Sequence, residues 1–324
     1  MRFAKSSQNN HNTTELWHCC FCVFRPVFYQ FSLFKPSVPC YNANTGPIFY
    51  GAAPECPGAP PHREVFMLQL IASDLDGTLL PHGQQALEPA VLAAIAALNA
   101  RGIRFCVLSG RSGPDLAGFF SSLPQSPIFG CENGALVFAG DRVLCQFPLP
   151  RPLCRELTAQ LLAEPEGGVS LTTAAGCFVI TQNEEFVRRV DAGLSPAAPS
   201  RRVGATEDIP GEIVKLSAWF GGRAEDARAR FAPVWTRYVN LRVSGEWLEF
   251  SRAHKGTALA QITAALGISP ADVLALGNDM EDIPLFRFAG DSCAAPSAPA
   301  AVQQAAARPA QAPAALLLAL AGQS

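Results

Sequence analysis

The chain carries almost no net charge. It has 25 Lys and Arg against 27 Asp and Glu, a formal charge of -2 over 324 residues, so nothing electrostatic favours a nucleic-acid partner. No apolar run approaches the length of a membrane span. A disulfide framework is also missing. Of eleven cysteines, five fall in the first 56 residues, and the rest (Cys106, Cys131, Cys145, Cys154, Cys177, Cys293) are scattered, mostly in apolar, strand-like contexts. That usage reads as reduced core thiols of a cytoplasmic protein. What the chain does have is apolar bulk. Hydrophobic residues make up 49% and charged residues 16%, enough for one large or two medium globular domains.

Residues 1–66 differ from the remainder of the chain. They are rich in Cys, Phe, Tyr, Asn and Pro and show neither helical nor strand periodicity. The apolar part near Leu16–Phe24 contains His18, ends at Arg25-Pro26, and is followed by no clean small-residue cleavage site, so it makes a poor signal peptide. The spacing of His18, Cys19, Cys20 and Cys22 matches no zinc pattern. Methionine is scarce, three in all, and Met67 stands just where the Ala- and Leu-rich composition begins. The expectation is a disordered or non-native leader over 1–66, with the natural start at Met67. Intact mass of the native protein checks this.

The most informative stretch is Ile71-Ala72-Ser73-Asp74-Leu75-Asp76-Gly77-Thr78-Leu79-Leu80. Apolar residues from Leu68 to Ala72 give way to two carboxylates, as when a buried parallel strand ends in a functional loop. In open α/β sheets ligands bind outside the carboxyl ends of the strands. Alternation along an extended segment puts Asp74 and Asp76 on the same side. Two carboxylates so close call for a cation, and Mg²⁺ is the hard, oxygen-seeking choice. Asp74 then suits a nucleophile and metal ligand, and Asp76 a proton shuttle. A bare Asp-x-Asp also fits an acidic surface turn. The full Asp-Leu-Asp-Gly-Thr after an apolar strand is more specific. It resembles the first motif of the haloacid dehalogenase-like hydrolases, which are mostly Mg²⁺-dependent phosphatases.

Downstream residues keep the same family order. A helix opened by Glu88-Pro89 and closed by Arg101-Gly102 leads to a buried strand, Arg104–Leu108, ending in Ser109-Gly110-Arg111. Ser and Gly are common in any strand–helix turn. At this place they resemble the second motif, whose hydroxyl holds the transferring phosphoryl group, and the Ser/Thr-Gly-Arg form resembles the Cof-like branch. Asn133-Gly134 is a turn signal. In the Cof-like branch the matching Asn lies near the site, which implies substrate binding by Gly110, Arg111 and Asn133. Lys255 sits at a helix start, where the dipole disfavours a cation. It resembles the third motif, whose ammonium neutralises phosphoryl oxygens. The strand Val273–Leu276 ends in Gly277-Asn278-Asp279-Met280-Glu281-Asp282, resembling the fourth, metal-binding motif. It departs from the common Gly-Asp-x-x-Asn-Asp form, with Asn278 at the first Asp and Glu281 at the Asn.

Between residues 151 and 245 the strand–helix alternation breaks into strands followed by helices, the mark of a separate α+β layer. This matches the cap inserted between the family's second and third motifs, a device that excludes water and selects substrate. Arg188, Arg189, Arg201 and Arg202 are either contacts for an anionic substrate or solvated charge. The expected fold is α/β, a Rossmann-like parallel-sheet core (67–150 and 246–324) with an inserted α+β cap domain (151–245). The resemblance implies a Mg²⁺-dependent phosphatase of small phosphorylated metabolites. Asp74, Asp76, Ser109 and Lys255 would be catalytic, and Asp74, Asp76, Asn278, Asp279 and Asp282 would be the metal ligands. Two alternatives remain. One is a phosphosugar mutase. The other is a non-catalytic phosphometabolite-binding protein, suggested by Asn278 and Glu281.

Overall fold

The computed structural model describes residues 67–196 and 198–322. The leader expected over 1–66 lies outside them. The described residues belong to one compact unit. None of its helices is long and apolar enough to cross a membrane.

The core follows the rhythm of its apolar runs and their Pro and Gly punctuation. β1 (Leu70–Ser73) leads to α1 (Pro89–Ala100), which begins on Pro89 and is followed by Gly102 in the left-handed region. Next come β2 (Arg104–Leu108), α2 (Gly113–Phe119) and β3 (Ile128–Cys131). β4 (Leu136–Ala139) and β5 (Arg142–Gln146) form a hairpin. The Asn133-Gly134 turn joins β3 to β4, one connection earlier than the hairpin turn itself at Gly140.

The chain then leaves for a second layer. α3 (Arg151–Leu162) is followed by β6 (Gly168–Thr173), β7 (Gly176–Thr181), α4 (Glu184–Ala192) and the short β8 (Arg201–Arg202). After these come β9 (Lys215–Trp219), α5 (Ala224–Trp235), β10 (Asn240–Ser244) and β11 (Trp247–Ser251). The expected boundary at 245 falls within the β10–β11 hairpin. Trp247–Ser251 belongs to the second sheet, because β11 pairs with both β9 and β10.

The return to the core runs through α6 (Lys255–Leu266), β12 (Val273–Gly277), α7 (Ile283–Phe288), β13 (Asp291–Ala294), α8 (Ala300–Ala305) and α9 (Pro313–Ala321). The core sheet is seven-stranded, in the order β13-β12-β1-β2-β3-β4-β5, with β13 through β3 parallel. Alternation along β1 splits the core into two apolar layers. Ile71 packs with α1 and α9 on one face, and Leu70 and Ala72 pack with α6 and α7 on the other. All six cysteines in the described residues are free thiols, five of them buried.

Strand order places the site. The chain moves outward from β1 to β2 and β3, then returns to the opposite side of β1 as β12. The carboxyl ends of β1, β2 and β12 therefore meet at a topological switch point, where α/β sheets open a crevice. The second sheet, in the order β10-β11-β9-β6-β7-β8, contributes the other wall. Along β9, Leu216 and Ala218 face its own apolar core, and Lys215 and Ser217 face the cleft.

Candidate active site

Asp74 follows β1 directly and is 6% exposed. Lys255, the first residue of α6, reaches it: Nζ donates to Asp74 Oδ1 at 2.6 Å and to Asp282 Oδ1 at 2.7 Å. Both carboxylates and the ammonium are buried. Burial pushes the Asp74 carboxyl up to about 6, with Asp282 adding to the rise and Lys255 opposing it. Burial alone would lower the Lys255 ammonium, but the two carboxylates more than offset it and hold it above its ordinary value. The cation thus sits at a helix start against the dipole because two buried anions hold it there.

Asp282 serves the loop around it. Its Oδ2 accepts from the main-chain N–H of Asn278 at 2.8 Å and of Asp279 at 3.0 Å, while Oδ1 takes Lys255. A Cβ at Gly277 would collide with this carboxylate, so only glycine admits the close turn. Asp279 caps the following turn, its Oδ1 accepting from Met280 N.

Asn278 reaches across to β1. One terminal atom of its amide lies 2.9 Å from Asp74 Oδ2, 2.9 Å from Thr78 Oγ1 and 3.1 Å from the main-chain oxygen of Asp76. Turned as nitrogen, that atom donates to these oxygens. Turned as oxygen, it stands 2.9 Å from Asp74 Oδ2 and 3.1 Å from the Asp76 carbonyl, near enough for these oxygens to share one hard cation. One carboxylate, one carbonyl and one amide make a donor set suited to Mg²⁺. Among the described residues, no three His, Cys, Asp or Glu side chains gather as a metal centre. Gly77, in the left-handed region, is required here, since a Cβ would strike the Asn278 amide.

Ser109, at the end of β2, is 1% exposed, and its Oγ accepts from Arg111 N at 3.2 Å. Arg111 donates from Nε and Nη2 to both oxygens of Asp76, at 2.9 and 2.8 Å. Those hydrogen bonds hold the guanidinium above its ordinary range, and the Phe119 ring packs 5.0 Å from it. Asp74, Asp76, Ser109, Gly110, Arg111, Asn133, Lys255, Asn278 and Asp279 all line one chamber of about 340 Å³, and Asp282 lies behind it.

The far wall comes from residues that the sequence patterns did not single out. Arg242 on β10 pairs with Glu281 and, at 3.2 Å, with Glu249 on β11. Lys215 on β9 is clasped by Glu249 and by Glu132. Burial would lower the Lys215 ammonium, but these two carboxylates raise it. Glu132 and Asn133 both adopt positive φ, 53° and 56°, a costly conformation for a non-glycine residue. The turn is held on the Ser109–Arg111 loop, with Glu132 N donating to Arg111 O and Asn133 N to Ser109 O. It turns Glu132 toward the second sheet and Asn133 into the chamber. Of the four arginines named from sequence, Arg189 lines the cleft. Arg188 and Arg202 pair with nearby glutamates, and Arg201 stacks 4.2 Å from the Phe178 ring.

The chain resembles known proteins over most of its length. The family model for haloacid dehalogenase-like hydrolases matches residues 71–311. The 5-amino-6-(5-phospho-D-ribitylamino)uracil phosphatase of Escherichia coli is 23% identical over 247 residues, 74% of this chain and 89% of that one. Phosphoglycolate phosphatase 1 of Saccharolobus solfataricus is 25% identical over 229 residues, 69% and 81%. Among solved structures, a phosphatase of the haloalkanoate enzyme superfamily from Bacteroides thetaiotaomicron superposes with a TM-score of 0.64 at 21% identity, covering 83% of this chain and 100% of that one. The chain belongs to the haloacid dehalogenase-like hydrolases, in their Cof-like branch.

Proposed function

We propose that this protein is a Mg²⁺-dependent phosphatase that hydrolyses small phosphorylated metabolites, sugar phosphates or similar phosphomonoesters, through an aspartyl-phosphate on Asp74. The observation that carries the reading is the buried Asp74–Lys255–Asp282 triad beside the Asn278 amide, at the carboxyl ends of β1 and β12. A buried carboxylate paired with an ammonium, with a hydroxyl lining the same chamber, suits phosphoryl transfer.

Asp74 Oδ1 is held by Lys255 and Oδ2 by Thr78, which fixes the carboxylate for attack on phosphorus. Ser109 lines the chamber, and its hydroxyl would hold a phosphoryl oxygen. Lys255 would share its charge between Asp74 and the phosphoryl group. Asp76, gripped by Arg111, stands at the mouth. There it would give a proton to the leaving oxygen and then take one from the water that cleaves the aspartyl-phosphate. Asp74, the Asp76 carbonyl and Asn278 would hold the Mg²⁺, with Asp279 nearby and Asp282 acting through the loop. When bound, the metal supplies positive charge to the nucleophile and the phosphoryl oxygens.

The test is phosphate release from phosphorylated metabolites with and without Mg²⁺. Metal-dependent release is expected. Transfer of the phosphoryl group back to the sugar without free phosphate would instead identify a mutase. Ligand-dependent stabilisation without turnover would identify a binding protein.

A further inference from the structure

The Asp76 side chain is 45% exposed, so water alone would leave it free to change rotamer. Among the described residues its carboxylate has one side-chain partner, Arg111, which donates from Nε to Oδ2 at 2.9 Å and from Nη2 to Oδ1 at 2.8 Å. Two parallel N–H bonds fix the plane of a carboxylate as well as its distance, which a point charge does not.

Arg111 is braced in turn. Its main-chain N–H donates to Ser109 Oγ at 3.2 Å, and its carbonyl accepts from Glu132 N at 3.2 Å. The Phe119 ring of α2 lies 5.0 Å from the guanidinium. Glu132 holds its positive φ with its carboxylate clasped by Lys215 of the second sheet. The fork therefore rises from a fixed loop. The resemblance implied substrate binding by Arg111, yet the Nε–Nη2 edge is already given to Asp76, which leaves Nη1 for anything else.

We infer that Arg111 is a positioning residue, which acts through Asp76 by aiming its carboxyl group at the leaving oxygen. This rests on the phosphatase reading above. As the bond from the Asp74 oxygen to phosphorus forms, the bond from phosphorus to the alcohol oxygen breaks and its electron pair goes to that oxygen. The proton of Asp76 follows, and Asp76 is left as a carboxylate. The fork matches that carboxylate, which is also the form that later takes a proton from water.

The experiment measures kcat/KM in Mg²⁺ for phenyl phosphate and 4-nitrophenyl phosphate, which share a ring and differ in the leaving group. Phenol, with a pKa of about 10, needs a proton to leave, whereas 4-nitrophenoxide departs without one. This ratio counts only steps up to loss of the phenol, so hydrolysis of the aspartyl-phosphate does not enter. Arg111→Met should lower the value for phenyl phosphate about tenfold more than for 4-nitrophenyl phosphate, a share of the roughly 10²–10⁴-fold that a placed acid supplies. Arg111→Lys keeps the charge and loses the fork, so the bias should remain. Asp76→Asn should show the bias by itself, and adding Arg111→Met should not widen it. An equal fall for both substrates, no fall, full rescue by lysine, or a bias that adds to that of Asp76→Asn would overturn the assignment of Arg111 alone. No cleavage of either substrate by the folded parent would overturn the phosphatase reading and this inference with it.

Discussion

Lys255 and Lys215 are each held between two carboxylates, one in the core sheet's loops and one in the second sheet. Lys255 sits on a helix start and joins Asp74 to Asp282, both buried. Lys215 sits on β9 and joins Glu249 of its own sheet to Glu132 of the core. The first pairing assembles residues from the ends of three separate elements around one point. The second ties two layers together across a cleft and remains partly solvated, with the Lys215 side chain 14% exposed against 5% for Lys255. The difference separates two tasks. In the proposed reaction the core triad would fix where phosphorus is attacked, while the cross-layer triad ties the second sheet to the core beside that point.

The sharpest way to break this division is at Asp74. Asp74→Asn keeps a group that still faces Lys255 but removes the proposed nucleophile. Turnover should fall by about 10⁴-fold or more, with circular dichroism and the thermal midpoint little changed. Normal activity in this variant would reject Asp74 as nucleophile.

Lys255→Met leaves two buried carboxylates facing each other without a cation. Removing one partner of a buried ion pair costs roughly 3–5 kcal/mol, a large share of an ordinary domain's stability. Denaturant unfolding should show that loss, and phosphate release should vanish in whatever fraction stays folded. Lys215→Met is the matched test on the other triad. There Glu249 keeps Arg242 as a partner and only Glu132 is left without a cation, so the loss should be below that range, about 2 kcal/mol. Turnover should fall less than for Lys255→Met, with the effect concentrated in KM. If the two variants lose equal stability and equal kcat, the separation of tasks is wrong.

The two triads also differ in how far the sequence discloses them. Asp74, Ser109, Lys255 and Asp282 stand where apolar strands stop or a helix starts, places where packing gives no reason for these residue types. Lys255 even opposes its helix dipole, and that local conflict is what marks it. Lys215, Arg242 and Glu249 occupy alternate positions in half-buried strands, where a polar residue facing away from an apolar core is the ordinary pattern. Nothing in their spacing says that the polar face meets a second domain instead of water. Helices and most strands were legible from periodicity and from Pro and Gly. The edge strand β13, Asp-Ser-Cys-Ala, has no apolar alternation to reveal it, and only its pairing with β12 makes it a strand.

The smallest expected effect concerns Asn278, where the loop departs from the family's common acidic form. Its amide lies 2.9 Å from Asp74 Oδ2 and 3.1 Å from the Asp76 carbonyl, and as a nitrogen it can donate to both. Asn278→Asp replaces that donor with a charged acceptor. Without metal, two carboxylates then face each other, and the thermal midpoint should fall by an amount corresponding to about 1 kcal/mol. With Mg²⁺ the added charge strengthens the donor set, so the metal-induced rise in the midpoint should grow and the half-saturating Mg²⁺ should drop on the order of tenfold. The signature is therefore a crossing: the variant is less stable than the parent in chelator and gains more from Mg²⁺. A variant that is less stable by the same amount under both conditions would place Asn278 in the loop's scaffold alone and move the metal set to Asp279.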